Sequence, residues 1–261
     1  MKKRLDLILF EHGFFETKNA AAAAILAGNV KINDTPVTKA GELFNEEKLF
    51  DPLNKNKIEI KKMPFVSRGG LKLDAAIKEF KINLKDKICI DMGASTGGFT
   101  DCMLQAGAKK VYAVDVGYNQ LAWKLREDER VVVIEKTNVK NCSFSDIFGA
   151  DVLADDKMPV FMSMDLSFIS IKKVLENILN FIKKDSLMVF LIKPQFEAEK
   201  NEIQKGGIVK DEKVHKKIIE DIKEYAKSFN LETIGVIKSP IQGAKQGNEE
   251  FLICLKRGEG L

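Results

Sequence analysis

Short apolar runs alternate with longer amphipathic stretches over most of the chain. The apolar runs have the length and β-branched content of buried strands, and apolar residues at helical spacing lie between them. This alternation predicts a mostly parallel sheet covered by helices on both faces. Strands are expected at 87–92, 111–116, 131–134, 159–165, 187–193, 233–238 and 250–255, and the clearest helices at 71–80, 171–183 and 212–229.

The first sixty residues show a different pattern. Helices are expected over 4–12 and 17–27. Short extended segments follow over 30–37, on either side of an Asn33-Asp34 turn, and over 57–60. A charged segment with a proline then interrupts the pattern. The sequence therefore predicts a small α+β domain over residues 1–59, a linker over 60–66 and an α/β domain over 67–261.

One stretch joins an expected strand to a glycine-rich turn, Lys87-Ile-Cys-Ile-Asp-Met-Gly-Ala-Ser-Thr-Gly-Gly-Phe-Thr-Asp101. Gly93, Gly97 and Gly98 allow positive φ and close backbone approach, and the residues after them can begin a helix. We interpret the stretch as the cofactor loop of a nucleotide-binding sheet. Ser95 stands where the dinucleotide fingerprint has its second glycine, which favours S-adenosylmethionine over NAD. An ordinary strand-to-helix turn is the alternative.

Composition excludes several classes of protein. The 261 residues include 42 Lys plus Arg and 38 Asp plus Glu, and a net charge of +4 does not by itself indicate nucleic-acid binding. The four cysteines form no C-x-x-C pair, so neither structural zinc nor a disulfide framework is expected, and a reduced, cytoplasmic location fits. Asp6 and Glu11 interrupt any signal-peptide core, and the apolar stretches are too short for a membrane span.

In doubly wound sheets, ligands bind at the carboxyl ends of the strands. The residues at or just after the expected strand ends are Asp91, Asp115, Asn138, Asp165 and Lys193. Asp115 can accept hydrogen bonds from both ribose hydroxyls of a nucleoside. Asp165 and Lys193 are expected to lie within reach of each other, with Phe168 and Phe196 in the loops above them positioned to flank a base. A structural salt bridge beneath two core phenylalanines is the alternative.

The N-terminal segment resembles the S4 RNA-binding domain. The resemblance is carried by Arg4-Leu-Asp6, by the helix with Lys18 and residues 22–26, and by Gly28-Asn-Val-Lys-Ile-Asn33 with Val37 and Lys39. It implies that Arg4, Lys18 and Lys39 face RNA phosphates. Lys18 stands where many members have a Ser-Arg pair, and a lysine does not make the bidentate contact of an arginine. From the residues alone, a solvated basic face is the alternative.

Four residues around the glycine loop resemble the Lys-Asp-Lys-Glu tetrad of FtsJ-like ribose 2′-O-methyltransferases: Lys72, Asp165, Lys193 and Glu250. Together with the S4-like start, they make the chain similar to the TlyA family. The matching segments are Ser67-Arg-Gly-Gly-Leu-Lys72-Leu, Asp91 to Asp101, Thr137-Asn-Val139, Met164-Asp-Leu-Ser-Phe-Ile-Ser170, Lys193-Pro-Gln-Phe-Glu197, Gly206-Gly-Ile-Val209 and Gly247-Asn-Glu-Glu-Phe251. The family's Gly-Asn-x-Glu spacing selects Glu250 over Glu249.

This resemblance implies a fold and an activity. The fold would be a Rossmann-like S-adenosylmethionine-dependent methyltransferase, mostly parallel with an antiparallel last strand, preceded by a small α+β S4 domain. The activity would be 2′-O-methylation of cytidine ribose in ribosomal RNA within ribosomal subunits. No metal is expected, because the electrophilic methyl group needs no Lewis acid, and no obligate protein partner is evident. Cofactor contacts are expected from Asp91, Gly93, Ala94, Ser95, Gly97, Gly98, Asp115 and Asn138, and RNA contacts from Arg4, Lys18, Lys39, Arg68 and Phe168.

The chemistry explains why such a tetrad is needed. A ribose hydroxyl is a weak nucleophile, so the attack must be oriented and a proton removed. We hypothesise that Lys193 contacts the 2′-oxygen, either as a base or by stabilising developing negative charge. Lys72 is the neighbouring cation that would favour a lysine base, and Asp165 and Glu250 would hold the two lysines.

Other functions fit parts of the sequence. A catalytically silent RNA-binding protein would keep the basic residues but lose part of the tetrad, and all four tetrad residues are present. A membrane-active haemolysin, a label also given to TlyA members, would need an exposed amphipathic or spanning segment that the sequence lacks. An NAD-dependent oxidoreductase is disfavoured by Ser95.

Overall fold

The computed structural model describes residues 2–15, 17–26, 28–61, 63–149, 157–242 and 248–258. The chain divides into two compact units, Met1–Met63 and Pro64–Leu261. The division falls within residues 60–66, the segment whose composition predicts a linker and of which residue 62 lies outside the described residues. Each unit has a hydrophobic core of its own.

The N-terminal unit packs helices against short strands. Its elements are β1 (Lys2–Arg4), α1 (Leu5–Glu11), α2 (Lys18–Leu26), β2 (Val30–Ile32), β3 (Thr35–Val37), β4 (Leu43–Asn45), α3 (Glu46–Phe50) and β5 (Ile58–Ile60). Strand β2 lies between β3 and β5 in an antiparallel sheet, and β1 pairs with β4. Apolar residues at helical spacing, Leu5, Ile8 and Leu9 of α1, enter the core beside Ile25 of α2.

The predicted helix pair and hairpin are confirmed, although Ala27, at the end of the second predicted helix, lies outside the described residues. Asn33 and Asp34 have φ values of 51° and 63°. Two such residues form the tight turn that matches the twist of antiparallel strands, and Asn and Asp tolerate this conformation better than most residues. The sequence pattern does not predict the β1–β4 pair, because a three-residue strand is too short to show alternation.

The C-terminal unit is built on a seven-stranded sheet. Its elements are α4 (Gly69–Glu79), β6 (Ile88–Met92), α5 (Gly98–Gln105), β7 (Lys110–Val114), α6 (Trp123–Arg126), β8 (Val131–Ile134), α7 (Phe144–Phe148), β9 (Phe161–Met164), α8 (Leu175–Ile178), β10 (Leu187–Ile192), α9 (Pro194–Glu197), α10 (Glu212–Lys227), β11 (Leu231–Lys238) and β12 (Phe251–Arg257). The strand order is β11-β12-β10-β9-β6-β7-β8. Strands β10, β9, β6, β7 and β8 pair in parallel, whereas β12 is antiparallel to both β10 and β11. The predicted fold, with its antiparallel last strand, is confirmed.

Both faces of this sheet are covered. Ile90 and Met92 of β6 point into one hydrophobic cluster, whereas Cys89 points into the cluster on the other face. Successive side chains of a strand face opposite sides, so strands buried on both faces read as continuous apolar runs. The four cysteines are buried free thiols, and burial raises the pKa of Cys89 to about 12. In the described parts of the chain, no helix has the length and apolar character needed to cross a membrane.

One predicted helix differs from the structure. The segment 171–183 forms two 3₁₀ turns, Ile171–Lys173 and Leu179–Phe181, with the short helix α8 between them. The helical spacing of its apolar residues is real, since Ile171, Leu175 and Ile178 are buried. Val174, at φ −120°, interrupts the helical backbone.

The direction of β12 has a consequence for the carboxyl edge of the sheet. Because β12 runs opposite to β10, its first residue, Phe251, pairs with the last residue of β10, Ile192. Glu250 immediately precedes β12, so it lies at the same edge as Asp165 and Lys193, which immediately follow β9 and β10. Three of the four residues of the predicted tetrad are therefore placed together by the sheet itself.

Candidate active site

The glycine-rich loop follows β6, and Asp91 near the end of this strand is fully buried beneath it. Thr100 Oγ1 donates a hydrogen bond of 2.7 Å to Asp91 Oδ2, and Ser163 Oγ donates one of 2.8 Å to Oδ1. Burial raises the pKa of Asp91 to about 6, and these two hydroxyl groups oppose the shift. The Asp91 side chain therefore ties β6 to α5 and β9, and supports the loop from below.

Gly93 and Gly97 fit the loop against other parts of the chain. They have φ values of 89° and 95°, a conformation that L side chains rarely adopt. A Cβ atom at Gly93 would lie 2.7 Å from the carbonyl oxygen of Asp165, and one at Gly97 would lie 2.2 Å from Leu125 Cδ1. The two glycines therefore let the loop pack closely against the residues after β9 and against α6.

Gly98 brings the beginnings of two helices together. A Cβ atom at Gly98, the first residue of α5, would lie 2.3 Å from Ser67 Oγ and 2.8 Å from the backbone nitrogen of Gly70. Gly70 belongs to the first turn of α4, which also carries Lys72 on its buried face. Because Gly98 has no side chain, α4 can lie close to the glycine-rich loop, and Lys72 lies close to it as well.

The four residues of the predicted tetrad meet at the carboxyl edge of the sheet. Lys72 Nζ lies 2.6 Å from Glu250 Oε2 and 3.8 Å from Asp165 Oδ2, and Asp165 Oδ1 lies 2.5 Å from Lys193 Nζ. Charges therefore alternate along the row Glu250, Lys72, Asp165, Lys193. The Glu250 and Lys72 side chains are 3% and 9% exposed, whereas the Asp165 side chain is 22% exposed. The Lys193 side chain is 11% exposed, so the row is most buried at Glu250 and opens toward Asp165 and its neighbour Lys193.

Lys193 retains hydrogen-bonding capacity. Its Nζ donates a hydrogen bond of 2.9 Å to Ser167 Oγ. Asp165 Oδ1 accepts no hydrogen bond from the described residues, so its 2.5 Å contact with Lys193 Nζ is an ion pair without hydrogen-bond geometry. An ammonium group carries three N–H donors. Lys193 can therefore donate to a further oxygen while it keeps both of these contacts.

Two adjoining cavities open at this edge. The first, about 290 Å³ in volume, is lined by residues 67–69, the loop residues 93–96, and Lys72, Asp165 and Lys193. The second, about 500 Å³, is lined by Asp115, Asn138 and residues 165–169, among others. Gly93, Ser95, Asp165 and Ser167 line both. One elongated ligand can therefore extend from the second cavity to the tetrad.

The second cavity has the polar groups that a nucleoside requires. Asp115 Oδ2 accepts a hydrogen bond of 2.7 Å from Ser95 N, and Oδ1 accepts one of 2.7 Å from Gly117 N. Each carboxylate oxygen has a second lone pair, so the group can still accept from a diol. Asn138 is exposed, and its Oδ1 accepts from Lys140 N at 3.0 Å, which leaves the amide N–H groups for a ligand.

The predicted RNA contacts of the C-terminal unit border these cavities. Arg68 is exposed and lines the first cavity, and its guanidinium forms no hydrogen bond or ion pair with the described residues. Phe168 lines the second cavity, is 86% exposed and has a φ of 66°. Its ring centroid lies 5.2 Å from that of Phe196. A phenylalanine that is both exposed and in the left-handed region points to a functional constraint.

The predicted RNA contacts of the N-terminal unit surround Asp6. Arg4 Nε and Nη2 donate to the two carboxylate oxygens of Asp6, at 3.0 and 2.7 Å, which lowers the pKa of Asp6. Lys18 lies close enough to lower it further. The backbone oxygen of Ala40, next to Lys39, accepts from Asp6 N. Lys18 and Lys39 are exposed, whereas part of the Arg4 guanidinium is already engaged.

The two neighbouring glutamates near the start of β12 have different partners. Glu250 pairs with Lys72, whereas Glu249 pairs with Lys238. Gly247, at the start of the segment that carries both glutamates, lies outside the described residues. Among the described residues, no cluster of His, Cys, Asp and Glu is arranged to hold a metal ion.

Two residues of the site escape sequence reasoning: Ser167, which binds Lys193, and Glu197, which contacts the Asp165 loop. The signal for both was present, because each lies in a matched segment within a few positions of a tetrad residue. The matched segments do not reveal that Ser167, after β9, contacts Lys193 after β10, or that Glu197, after β10, contacts the residues after β9.

The fold and the site together define an S-adenosylmethionine-dependent methyltransferase. The sequence matches the FtsJ-like methyltransferase family over residues 65–257 and the S4 domain over residues 3–48. The chain therefore belongs to the TlyA family, in which an S4 domain precedes an FtsJ-like methyltransferase domain.

Individual proteins agree with this assignment. YqxC of Bacillus subtilis (strain 168), named as a candidate rRNA methyltransferase, is 45% identical over 260 residues, which are 99% of this chain and 88% of YqxC. The 16S/23S rRNA (cytidine-2′-O)-methyltransferase TlyA of Mycobacterium tuberculosis (strain ATCC 25618 / H37Rv) is 35% identical over 98% of this chain and 90% of its own length. A solved structure from Streptococcus thermophilus, titled as a candidate hemolysin, has 39% identity and a TM-score of 0.74, and covers 99% of this chain and 90% of its own.

Proposed function

We propose that this protein methylates the ribose 2′-oxygen of a cytidine in ribosomal RNA, with S-adenosylmethionine as methyl donor. The observation that carries the proposal is the row of alternating charges from Glu250 to Lys193, which ends beside a cavity suited to a nucleoside. The M. tuberculosis relative is named for the same reaction. Cytidine in ribosomal RNA is proposed for this chain by that similarity.

The residues present fit the donor. Asp115 would hold the ribose hydroxyls, and Asn138 would contact the base in the second cavity. Gly93, Ala94 and Ser95 would lie along the part that extends toward the tetrad, and the close packing of Gly97 and Gly98 would shape the loop. Asp91 was predicted to contact the cofactor, but its carboxylate is buried beneath the loop, so we assign it a positioning role. When bound, S-adenosylmethionine supplies an electrophilic methyl group.

The tetrad would prepare the acceptor. Lys193, at the open end of the row, would donate to the 2′-oxygen and stabilise the negative charge that develops as the hydroxyl group gives its proton to water. Asp165 holds Lys193 in place by its ion pair. Lys72 holds Asp165 and is itself fixed by Glu250. This order gives each residue one task and brings the acceptor oxygen to a defined position, which lowers the entropy cost of the reaction.

The RNA would be bound by both units. Lys18 and Lys39 offer exposed charges to phosphates, and Arg68 offers one at the entrance of the first cavity. Phe168 offers an exposed ring on which a base can stack. We propose that the substrate is RNA within a ribosomal subunit, that the protein acts in the cytoplasm, and that it needs no obligate protein partner.

One experiment separates the candidate functions. Purified protein is incubated with labelled S-adenosylmethionine and either ribosomal subunits from cells lacking the protein or liposomes. The label and its position, the binding of RNA and of cofactor, and membrane leakage are measured. Label on a cytidine 2′-oxygen supports the proposal. RNA binding without label would indicate a silent RNA-binding protein, and leakage without label a haemolysin. Lys193→Ala should bind RNA and cofactor but lose turnover, and near-wild-type turnover would overturn its assigned role.

A further inference from the structure

Glu197, the last residue of α9, joins the two loops that carry Asp165 and Lys193. Its Oε1 accepts a hydrogen bond of 2.8 Å from Ile171 N, and its Oε2 accepts one of 2.5 Å from Ser170 Oγ. Glu197 follows Lys193 in the loop after β10, whereas Ser170 and Ile171 follow Asp165 in the loop after β9. The carboxylate therefore bridges the two loops at the end away from the strands.

Two other contacts join the same loops. Near the strands, Lys193 contacts Asp165 and Ser167, and farther out the Phe168 and Phe196 rings lie 5.2 Å apart. Both contacts involve groups that we expect to touch the substrate. The Glu197 contact differs, because one of its donors is a backbone N–H and its partners lie outside both cavities. The Glu197 hydrogen bonds can therefore persist while the Lys193 contacts and the Phe168–Phe196 contact adjust to RNA.

We call the two hydrogen bonds that Glu197 accepts from Ser170 and Ile171 the joint, and the energetics favour its stability. Burial raises the pKa of Glu197, and the Ser170 hydroxyl and the Ile171 N–H oppose this shift. The positive charge of Lys172 also opposes the shift, but less than the two hydrogen bonds, which are the main compensation for the burial of Glu197. Both donors come from the other loop. Separation of the loops would break both of these hydrogen bonds to the carboxylate at once, which makes separation costly.

We propose that Glu197 is a positioning residue for methyl transfer, which fixes the loop bearing Asp165, Ser167 and Phe168 relative to Lys193. This inference rests on the proposed function. Displacements of about 1 Å are enough to impair an oriented reaction. Loss of the joint should therefore reduce turnover at saturating substrates more than it reduces cofactor affinity.

Glu197→Ala and Glu197→Gln test this inference. Glutamine keeps an oxygen to accept from Ile171 N and an amide to donate to Ser170 Oγ, whereas alanine removes the joint. With labelled S-adenosylmethionine and ribosomal subunits from cells lacking the protein, kcat should fall about tenfold or more in Glu197→Ala and stay within about threefold of wild type in Glu197→Gln. The Kd for S-adenosylmethionine should change less than about threefold in both.

A second measurement reports on the joint without turnover. Hydrogen exchange of the Ile171 amide should accelerate in Glu197→Ala and remain slow in Glu197→Gln. Glu202→Ala is the matched control, because Glu202 accepts from Glu199 N and pairs with Lys217, away from the Asp165 loop. That control should leave both kcat and the Ile171 exchange rate unchanged. If Glu197→Ala does not fold, Ser170→Ala removes one of the two donors and should show the same changes to a smaller extent.

Three results would overturn the inference. They are an unchanged kcat in a folded Glu197→Ala protein, an equal loss of kcat in Glu197→Gln, and an unchanged exchange rate at Ile171. A wild-type protein that places no label on RNA would instead refute the proposed function. The exchange measurement would still decide whether Glu197 joins the loops.

Discussion

Lys72 and Glu250 form a 2.6 Å ion pair although 178 positions separate them in the sequence. Lys72 lies in the first turn of α4, and Glu250 immediately precedes the antiparallel strand β12. Both side chains are nearly fully buried, so each charge depends on the other. Replacing one partner of a buried pair leaves an uncompensated charge, which costs about 3–5 kcal/mol.

This relationship predicts the effect of Glu250→Ala. The variant should lose about 3–5 kcal/mol of unfolding free energy and most of its turnover, because the Lys72 ammonium loses its nearest counter-charge. Chemical denaturation and the methylation assay measure the two effects. Adding Lys72→Met should restore much of the stability without restoring turnover. Lys78→Ala, which breaks the exposed Lys78–Asp74 pair, is the control and should change stability by less than about 0.5 kcal/mol.

The buried carboxyl of Asp91 predicts an unusual dependence of stability on pH. Its pKa in the folded protein, about 6, exceeds the unfolded value of 3.8, so the folded state binds the proton more tightly. The unfolding free energy of wild type, relative to Asp91→Asn, should therefore fall by about 3 kcal/mol as the pH rises from about 4 to about 6, and stay level above that.

Denaturation at several pH values measures this difference, and Asp146→Asn provides a control of opposite sign. Backbone and side-chain hydrogen bonds from Ser143 lower the pKa of Asp146. The stabilisation that Asp146 provides should be complete above its unfolded pKa and decline as the pH falls through the folded value. An Asp91→Asn profile parallel to that of wild type would refute the prediction for Asp91.

Asp115 is predicted to act on the cofactor alone. Asp115→Asn replaces one acceptor oxygen with a donor, so it should weaken S-adenosylmethionine binding by about 1–3 kcal/mol. Titration calorimetry measures this affinity. Asp128→Asn is the matched control, because Asp128 precedes β8 at the opposite edge of the sheet and pairs with Arg130. Equal affinities for the two variants would exclude Asp115 from the cofactor site.

The glycines at the start of the two helices should differ in their tolerance of alanine. Gly98→Ala places a Cβ within 2.8 Å of the Gly70 backbone nitrogen, so α5 and α4 must move apart. We expect a loss of about 1–3 kcal/mol, measured by denaturation. Gly69→Ala meets nothing nearer than Ser67 Oγ at 3.4 Å and should be neutral or slightly stabilising. Similar losses for both variants would contradict the packing argument.

Lys18 and Lys39 are predicted to contact phosphates. Alanine at either position should weaken RNA binding and reduce the magnitude of the salt-dependence slope by about one unit, because one fewer counter-ion is released. Filter binding to ribosomal RNA over a range of salt concentrations measures both quantities. Lys57→Ala serves as control, since Lys57 is already paired with Glu59. An unchanged slope for Lys18→Ala and Lys39→Ala would place the RNA on another surface.

The sequence by itself determined the local features of this protein. The apolar runs predict all seven strands of the large sheet, and the Asn33-Asp34 turn and the glycine loop lie where the pattern indicates. These features depend on residues close in sequence, whose periodicity and backbone preferences can be read directly. The strand ends also predict Asp115, Asp165 and Lys193 as candidate site residues, because parallel strands share one carboxyl edge.

Tertiary structure decided which of these residues touch. The pairing of Lys72 with Glu250 depends on β12 inserting beside β10 in the opposite direction, which no local pattern specifies. The same holds for Asp91, whose carboxylate is buried under the loop, and for Glu197, whose partners lie on the neighbouring loop. A residue type and its position along a strand limit what a side chain can do. The atoms packed around it decide what it does, because burial and hydrogen bonds arise only once distant segments meet.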